Sequence, residues 1–314
     1  MPANTSATVR VGTRGSALAL RQAGMLVDAL AEIHARVRFE IVEISSRGDA
    51  DRDSDLTQLG VGVFVKALED ALEDDRVDLA IHSLKDMPSV IPPGFELAAV
   101  TVREDPRDAL VSRWNSPFAD LPEGARIGTG SPRRRSQLLS ARPDLDVLPM
   151  RGNVPTRISK AMAGPDGEYD GAVLAAAGLS RLGRLDEAAD FLDPSVFVPA
   201  AGQGSLAVEI RAGDSAAREV AAAVADDDAT IASLAERAFL TELGGGCSVP
   251  VAAYGRMRDG SLVLSGFVSD LDGEKALRET VVGDPDRAAE FGVELAKTMA
   301  AQGARELLAE IPRG

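Results

Sequence analysis

Apolar positions along the chain follow two rhythms, one repeating about every 3.6 residues and one every second residue. Thr8 to Thr13 reads as a short strand, and a helix is expected to begin near Ser16. Ala19, Ala23, Leu26, Leu30 and Ile33 follow at spacings of 4, 3, 4 and 3, a single apolar stripe along that helix. Val37, Phe39 and Ile41 then alternate as one face of a strand does. Ser45 to Gly62 is polar and glycine-containing, too long for a simple connection, and is expected to be a mobile cover. A helix through Phe64, Leu68 and Leu72 comes next, followed by a strand around Leu79 to His82. Strand–helix–strand alternation predicts parallel pairing and an α/β domain.

The pattern then restarts. Val11-Gly12-Thr13-Arg14-Gly15-Ser16 has an echo in Ile127-Gly128-Thr129-Gly130-Ser131, with Gly128 lying 116 positions after Gly12. Each copy sits between a predicted strand and a predicted helix, so two similarly built α/β lobes are expected. The C-terminal region differs. Asp228 to Leu243 is patterned as a helix stopped by Gly244-Gly245-Gly246. Three strands follow (Val249 to Tyr254, Leu262 to Val268, Ala276 to Val282), with turn signals at Asp259-Gly260 and Asp272-Gly273. A final helix is predicted from about Pro285 to Ala309. Strands grouped between helices predict a smaller α+β domain with an antiparallel sheet. The expected division is residues 1–104 plus 200–222 for the first lobe, 105–199 for the second and 223–314 for the third domain.

Composition narrows the classes. The 314 residues can fill two or three domains, and 45% hydrophobic with 26% charged residues is globular rather than disordered. The 34 basic and 49 acidic residues give a net charge of −15, which disfavours a nucleic-acid partner while leaving room for a local basic pocket. One cysteine, Cys247, precludes a disulfide framework, and two histidines, His34 and His82, exclude a His-rich metal centre. No apolar run approaches the ~18 residues of a membrane span, and Met1 to Ser6 lacks a basic region followed by an apolar one. A cytoplasmic protein with no membrane partner is expected. The acidic run Asp49 to Asp55 fails as a calcium loop, because Ser54 and Gly60 stand where a glycine and a glutamate are needed.

The strongest chemical signal lies at the predicted strand ends. In Gly128-Thr129-Gly130-Ser131-Pro132-Arg133-Arg134-Arg135, Ser131 suits an N-cap and Pro132 the first helical position. Free backbone N–H groups, hydroxyls and guanidiniums then converge on a site for anions. Thr13-Arg14-Gly15-Ser16 is a smaller version, and Arg151-Gly152-Asn153-Val154-Pro155-Thr156-Arg157 a third. Such loops predict a ligand with several carboxylates or phosphates, since arginine grips both bidentately. Ser83-Leu84-Lys85-Asp86 follows another strand. A carboxylate among cations there suits stabilising a positive intermediate or accepting an N–H bond. His82 reads as a packed strand-end residue. Cys247 follows three glycines and has no evident histidine partner, so a peptidase role is not expected.

Taken in order, Thr13-Arg14-Gly15-Ser16-Ala17-Leu18-Ala19, His82-Ser83-Leu84-Lys85-Asp86, Arg103-Glu104-Asp105-Pro106-Arg107-Asp108, Gly128-Thr129 with Arg133-Arg134, Arg151-Gly152-Asn153, Gly202-Gln203-Gly204 and Gly245-Gly246-Cys247 make a specific set. The chain resembles the porphobilinogen deaminase family over almost its whole length. That resemblance implies two similar doubly wound, periplasmic-binding-protein-like lobes with the active site in the cleft between them, plus the smaller third domain. It implies a dipyrromethane cofactor joined by a thioether to Cys247, extended by four porphobilinogen units with loss of ammonia, and hydrolysis to linear hydroxymethylbilane. Asp86 matches the catalytic aspartate. Ser83, Lys85, Thr129, Ser131, Arg133, Arg134 and Arg157 match cofactor-binding positions. Arg14, Ser16, Arg151, Arg157, Arg181 and Gln203 match substrate-binding ones. One departure stands out: the family's Gly-Lys-Gly segment is replaced here by Leu59-Gly60-Val61-Gly62, leaving Lys66 as the nearest lysine. A monomer is expected. The rival reading, a non-catalytic two-lobed binding protein for an organic polyanion, would use the same arginine loops but would need neither Cys247 nor Asp86.

Overall fold

A computed structural model of the protein describes residues 8–45, 63–246 and 248–311. Cys247, the acidic run at 49–55 and all of the expected cover except Ser45 lie outside the described residues. Contacts divide the chain into two compact units, one of residues up to Val102 with Ser205–Thr230, the other of Arg103–Gly204 with Ile231 onward.

The first unit holds β1 (Thr8–Arg14), β2 (Arg38–Ile44), β3 (Leu79–Ser83), β4 (Phe95–Val100) and a returning strand β10 (Leu206–Arg211) in the order β2-β1-β3-β10-β4. β1 runs parallel to β2 and β3, whereas β10 is antiparallel to β3 and β4. α1 (Ala17–Ile33) lays Ala23, Leu26 and Leu30 against Val11, Leu79, Ile81, Val208 and Ile210. Ile33, last in the predicted stripe, is exposed because it lies on the final residue of the helix. α2 (Val63–Glu73) covers the other face through Leu68 and Leu72, packed with Val77 and Ala80.

The second unit repeats this arrangement. β5 (Asp108–Ser112), β6 (Arg126–Thr129), β7 (Asp146–Pro149), β8 (Gly171–Ala175) and β9 (Asp190–Phe191) lie in the order β7-β6-β8-β5-β9. Again the second strand in the order, here β6, is parallel to its two neighbours, and β5 is antiparallel to both of its own. The parallel pairing expected from strand–helix–strand alternation is found among β1, β2 and β3 and again among β6, β7 and β8, and each sheet adds antiparallel strands that this pattern does not announce. β5 and β10 are buried on both faces, so their continuous apolar runs say nothing about direction. α3 (Pro132–Ala141), α4 (Val154–Ala161) and α5 (Ala176–Arg181) follow β6, β7 and β8.

The same unit carries a third, antiparallel sheet of β11 (Val251–Arg258), β12 (Ser261–Ser269) and β13 (Ala276–Gly283). It packs on α7 (Asp227–Leu243), which follows α6 (Ser215–Ala222), and on α8 (Ala288–Ala301) and α9 (Ala304–Ala309). The single C-terminal helix expected from the sequence is thus two helices. Gly303, at φ 102°, takes a left-handed conformation that an α-helix cannot continue through. Among the described residues no helix is long and apolar enough to cross a membrane.

Candidate active site

In the first unit the polar groups cluster where β1 and β3 end. Ser16 caps α1, its Oγ accepting from Ala19 N at 3.2 Å. The buried Thr13 donates from Oγ1 to Ala19 O at 3.3 Å. Arg14 closes β1 beside them, half-buried. Ser83, the last residue of β3, exchanges hydrogen bonds of 3.1 and 3.3 Å with the side-chain amide of Gln22 on α1. The chain then makes one 3-10 turn, Leu84–Asp86. Leu84 N donates to Ser205 O and Met87 N to Leu84 O, both at 3.1 Å. Leu84 and Met87 are buried on either side of Asp86, whose carboxylate is exposed, while Lys85 is half-buried. Apolar anchors hold the turn, and the one side chain able to oppose a positive charge is left reaching into solvent.

In the second unit the echo of the β1 turn gathers its own polar groups. Ser131 caps α3 by accepting from Arg134 N at 3.4 Å, and Thr129 Oγ1 accepts from Ser131 N at 3.2 Å. A Cβ built on Gly130 would meet Met150 O at 3.0 Å and Arg157 Nη2 at 3.9 Å, so the bare turn lies against the Arg157 guanidinium. Arg157 Nε donates to Gly152 O at 2.7 Å, Asn153 caps α4, and the exposed Arg151 offers its carbonyl to Lys160 Nζ at 3.3 Å. Thr129, Ser131, Arg151 and Arg157 are therefore neighbours at the ends of β6 and β7.

Arg133 and Arg134 have a different setting from the open loop the sequence suggested. Both are buried, and both grip Asp108, the first residue of β5. Arg133 Nη1 and Nη2 donate to the two Asp108 oxygens at 2.7 and 3.2 Å, and Arg134 Nε and Nη2 donate to Oδ1 at 2.9 and 2.8 Å. Arg133 Nη1 also donates to the Val198 carbonyl, and Arg134 Nη1 donates to the Val173 carbonyl. Gln203 completes the shell, donating to Asp108 Oδ1 at 2.9 Å and to Pro106 O at 2.7 Å. Burial alone would raise the Asp108 carboxyl, but the two guanidiniums overcome it and hold the group well below the usual carboxylate range. One carboxylate and two guanidiniums leave one net positive charge in this core.

Arg181, at the end of α5, is buried as well and donates from Nη2 to Gly204 O at 2.5 Å, with Glu104 Oε1 at 3.4 Å from its Nε. Gly204 sits at φ 102°, and a Cβ there would lie 2.4 Å from Glu104 O, so the Gly202-Gln203-Gly204 turn admits no side chain at its last position.

Ser83, Lys85, Asp86, Arg14 and Ser16 thus belong to the first unit, and the remaining described candidates to the second. Asp108 is a polar residue of this core whose role no sequence motif announces. Its signal was an acid opening the apolar run Ala109-Leu110-Val111, a place where a carboxylate must find a buried cation.

A family model described as porphobilinogen deaminase, dipyrromethane cofactor binding domain, matches residues 9–219, and the family's C-terminal domain matches residues 230–301. The protein is 42% identical over 310 residues to a porphobilinogen deaminase of Syntrophobacter fumaroxidans, covering 98% of this chain and 99% of that one. It is 45% identical over 308 residues to one from Syntrophotalea carbinolica, covering 98% and 97%. Among solved structures, the methionine binding protein MetQ superposes with a TM-score of 0.39 at 13% identity, over 68% of this chain and 88% of that one. With two family models spanning both ends of the chain and relatives at this identity over nearly its full length, the chain belongs to the porphobilinogen deaminase family.

Proposed function

We propose that the protein joins four porphobilinogen molecules head to tail into linear hydroxymethylbilane, releasing one ammonia per unit, on a dipyrromethane held through a thioether by Cys247. The observation that carries this reading is the exposed carboxylate of Asp86 on a turn anchored by buried neighbours on both sides.

Porphobilinogen presents two carboxylates, a pyrrole N–H and an aminomethyl group. When ammonia leaves, it takes the C–N electron pair, and the remaining methylene carries a positive charge delocalised onto the ring nitrogen. A fixed negative charge beside that N–H lowers the barrier by stabilising charge as it develops. Asp86 supplies that charge, with Ser83 and Lys85 on the same strand end. Arg14 and Ser16, at the end of β1, bind substrate carboxylates.

The donor set of the second unit fits a dipyrromethane. That group carries four carboxylates, and the unit offers the N-terminus of α3, the Thr129 and Ser131 hydroxyls, Arg157 beside the Gly130 turn, and a core with one net positive charge. When bound, it would supply the terminal pyrrole carbon that forms the new C–C bond, the proton on that carbon being released as the ring regains its aromaticity. Thr129, Ser131, Arg133, Arg134 and Arg157 hold its carboxylates, while Arg151, Arg181 and Gln203 serve the incoming unit. Asp108 and Gln203 keep Arg133 and Arg134 in place. The working form in this reading is a cytoplasmic monomer, and every residue given a role above lies on one chain.

Intact mass spectrometry tests the reading. The purified protein should exceed its chain mass by one dipyrromethane, and Cys247→Ser should not. With porphobilinogen, the loaded protein should release four ammonia per hydroxymethylbilane. An unmodified mass in active protein would overturn the attachment, and binding of porphobilinogen without ammonia release would return the reading to a polyanion-binding protein.

A further inference from the structure

Beneath the Asp86 turn lies a group of ionisable side chains that the reaction does not use. His82 of β3 is buried, with its Nε2 3.0 Å from Oε2 of the fully buried Glu209 on β10, at ion-pair distance but out of line for a hydrogen bond. Glu69 of α2 is buried too, and Oε1 of Glu69 and of Glu209 lack a hydrogen-bond partner among the described residues. Burial, then the neighbouring charge of Glu209, pushes the Glu69 carboxyl up, while Lys66 and His82 pull it down and Asp70 adds a smaller upward push. Lys66 and Asp70 are paired with each other along α2.

The fold does not require these groups. Gly12 pairs with Ala80 in the first sheet as Gly128 pairs with Ala172 in the second. By the same registers His82 corresponds to Leu174, and Glu209 to Val111, both buried and apolar. One sheet therefore packs hydrocarbon where its twin buries an imidazole and a carboxylate at a desolvation cost. Their difference in surroundings is the turn that follows β3. Leu84, two residues after His82, packs with Val65 of α2 and Ala207 of β10, the two elements that also contribute Glu69 and Glu209.

We propose that His82 is a positioning residue, paired with Glu209 of β10 beneath α2, the helix that carries Glu69, so that β3, β10 and α2 are held together and the Ser83–Asp86 turn is kept in its reactive geometry. This rests on Asp86 being the catalytic carboxylate. A small displacement of such a group slows the reacting step and spares ground-state binding. His82→Leu should therefore lower kcat per loaded chain by roughly 10- to 100-fold and leave KM within about two-fold. His82→Gln, which keeps an N–H donor near the Nε2 position, should recover most of the loss. Amide exchange at Leu84 and Met87 should be faster in His82→Leu than in the parent and near the parent rate in His82→Gln.

Glu69→Gln gives an independent readout if His82→Leu fails to fold. A carboxyl pushed up stabilises the fold only below its folded-state pKa, and the parent loses that contribution as pH rises through it. The melting-temperature gain of Glu69→Gln should therefore be small in acid and larger at pH 8. A gain that does not change with pH, or unchanged exchange at Leu84 and Met87 alongside a lowered kcat, overturns the proposal, as does faster exchange with kcat intact. Asp86→Asn at parental turnover would instead overturn the catalytic assignment, while exchange and the pH-dependent gain could still behave as expected for the cluster.

Discussion

In the second lobe Asp108 pairs across to Ala175 of β8, and in the first lobe Leu206 pairs across to Ser83 of β3 in the matching register. Counting from the two capping serines, Ser16 and Ser131, Leu18 and Ala19 of the first lobe stand where Arg133 and Arg134 stand in the second. The Asp108–arginine core therefore has an apolar counterpart, as the His82–Glu209 pair does in the other direction. Two sheets of one strand order have exchanged their buried charges. The exchange teaches that the scaffold tolerates hydrocarbon at every one of these positions, so the charges answer to what each strand end must present. One end presents a carboxylate, the other a surplus of positive charge. Continuing past Ala80 and Ala172, Asp86 falls opposite Gly178, so the second lobe has no counterpart carboxylate there.

The sharpest way to break the comparison is to give the second lobe the first lobe's residue. Asp108→Leu leaves two buried guanidiniums without their carboxylate, and urea unfolding should show a loss of about 3–5 kcal/mol, together with failed cofactor loading. Arg133→Leu and Arg134→Leu should also load poorly, and loading should be scored on the folded fraction. Full stability in Asp108→Leu would mean that the core charge is dispensable.

A smaller effect separates the lobes by pH. Asp170, held at about 2 by its hydrogen bond to Arg126 and by the charge of Arg113, contributes stability that is full above the unfolded carboxylate range. That contribution, about 2 kcal/mol, is lost as pH falls from about 4 to about 2. Glu69 in the first lobe has the opposite sign. Melting curves of Asp170→Asn should therefore converge on the parent in acid and fall below it at neutral pH, the mirror of Glu69→Gln, which rises above the parent there. Curves that stayed parallel would remove Asp170 from the account.

The smallest effect concerns what the lobes share. Ser16 and Ser131 both cap a helix through the N–H three residues on, and Ser16→Ala or Ser131→Ala should each cost about 1 kcal/mol. If their losses of activity were equal as well, the two turns would not differ in what they bind.

Much of this was legible in the sequence. The Gly12 and Gly128 echo identified equivalent strand ends because a turn that caps a helix and exposes backbone N–H groups needs the same few residue types each time. Asp259-Gly260 marked the β11–β12 hairpin for a similar local reason. What stayed hidden was set by distant packing. Arg133 and Arg134 look like a solvated basic run until Asp108 arrives from a strand 25 residues earlier. Glu209 sits in an otherwise apolar run, Leu206 to Ile210, and only pairing with β3 brings it to His82. The direction of β5 and β10 was equally silent, because a strand buried on both faces carries no alternation to read.

The division of labour between the lobes stands or falls on the charge of Asp86. Single-turnover ammonia release from protein already loaded with dipyrromethane separates that charge from any defect in assembly. Asp86→Asn keeps the side-chain size and one acceptor oxygen. Because Asp86 is exposed, its melting temperature should match the parent, while ammonia release should fall by roughly 10²–10³-fold. Asp86→Glu, with its charge displaced by one methylene, should retain part of the rate. Release from Asp86→Asn as fast as from the parent would contradict the account, leaving Asp86 a bystander and the cation to be stabilised by another anion.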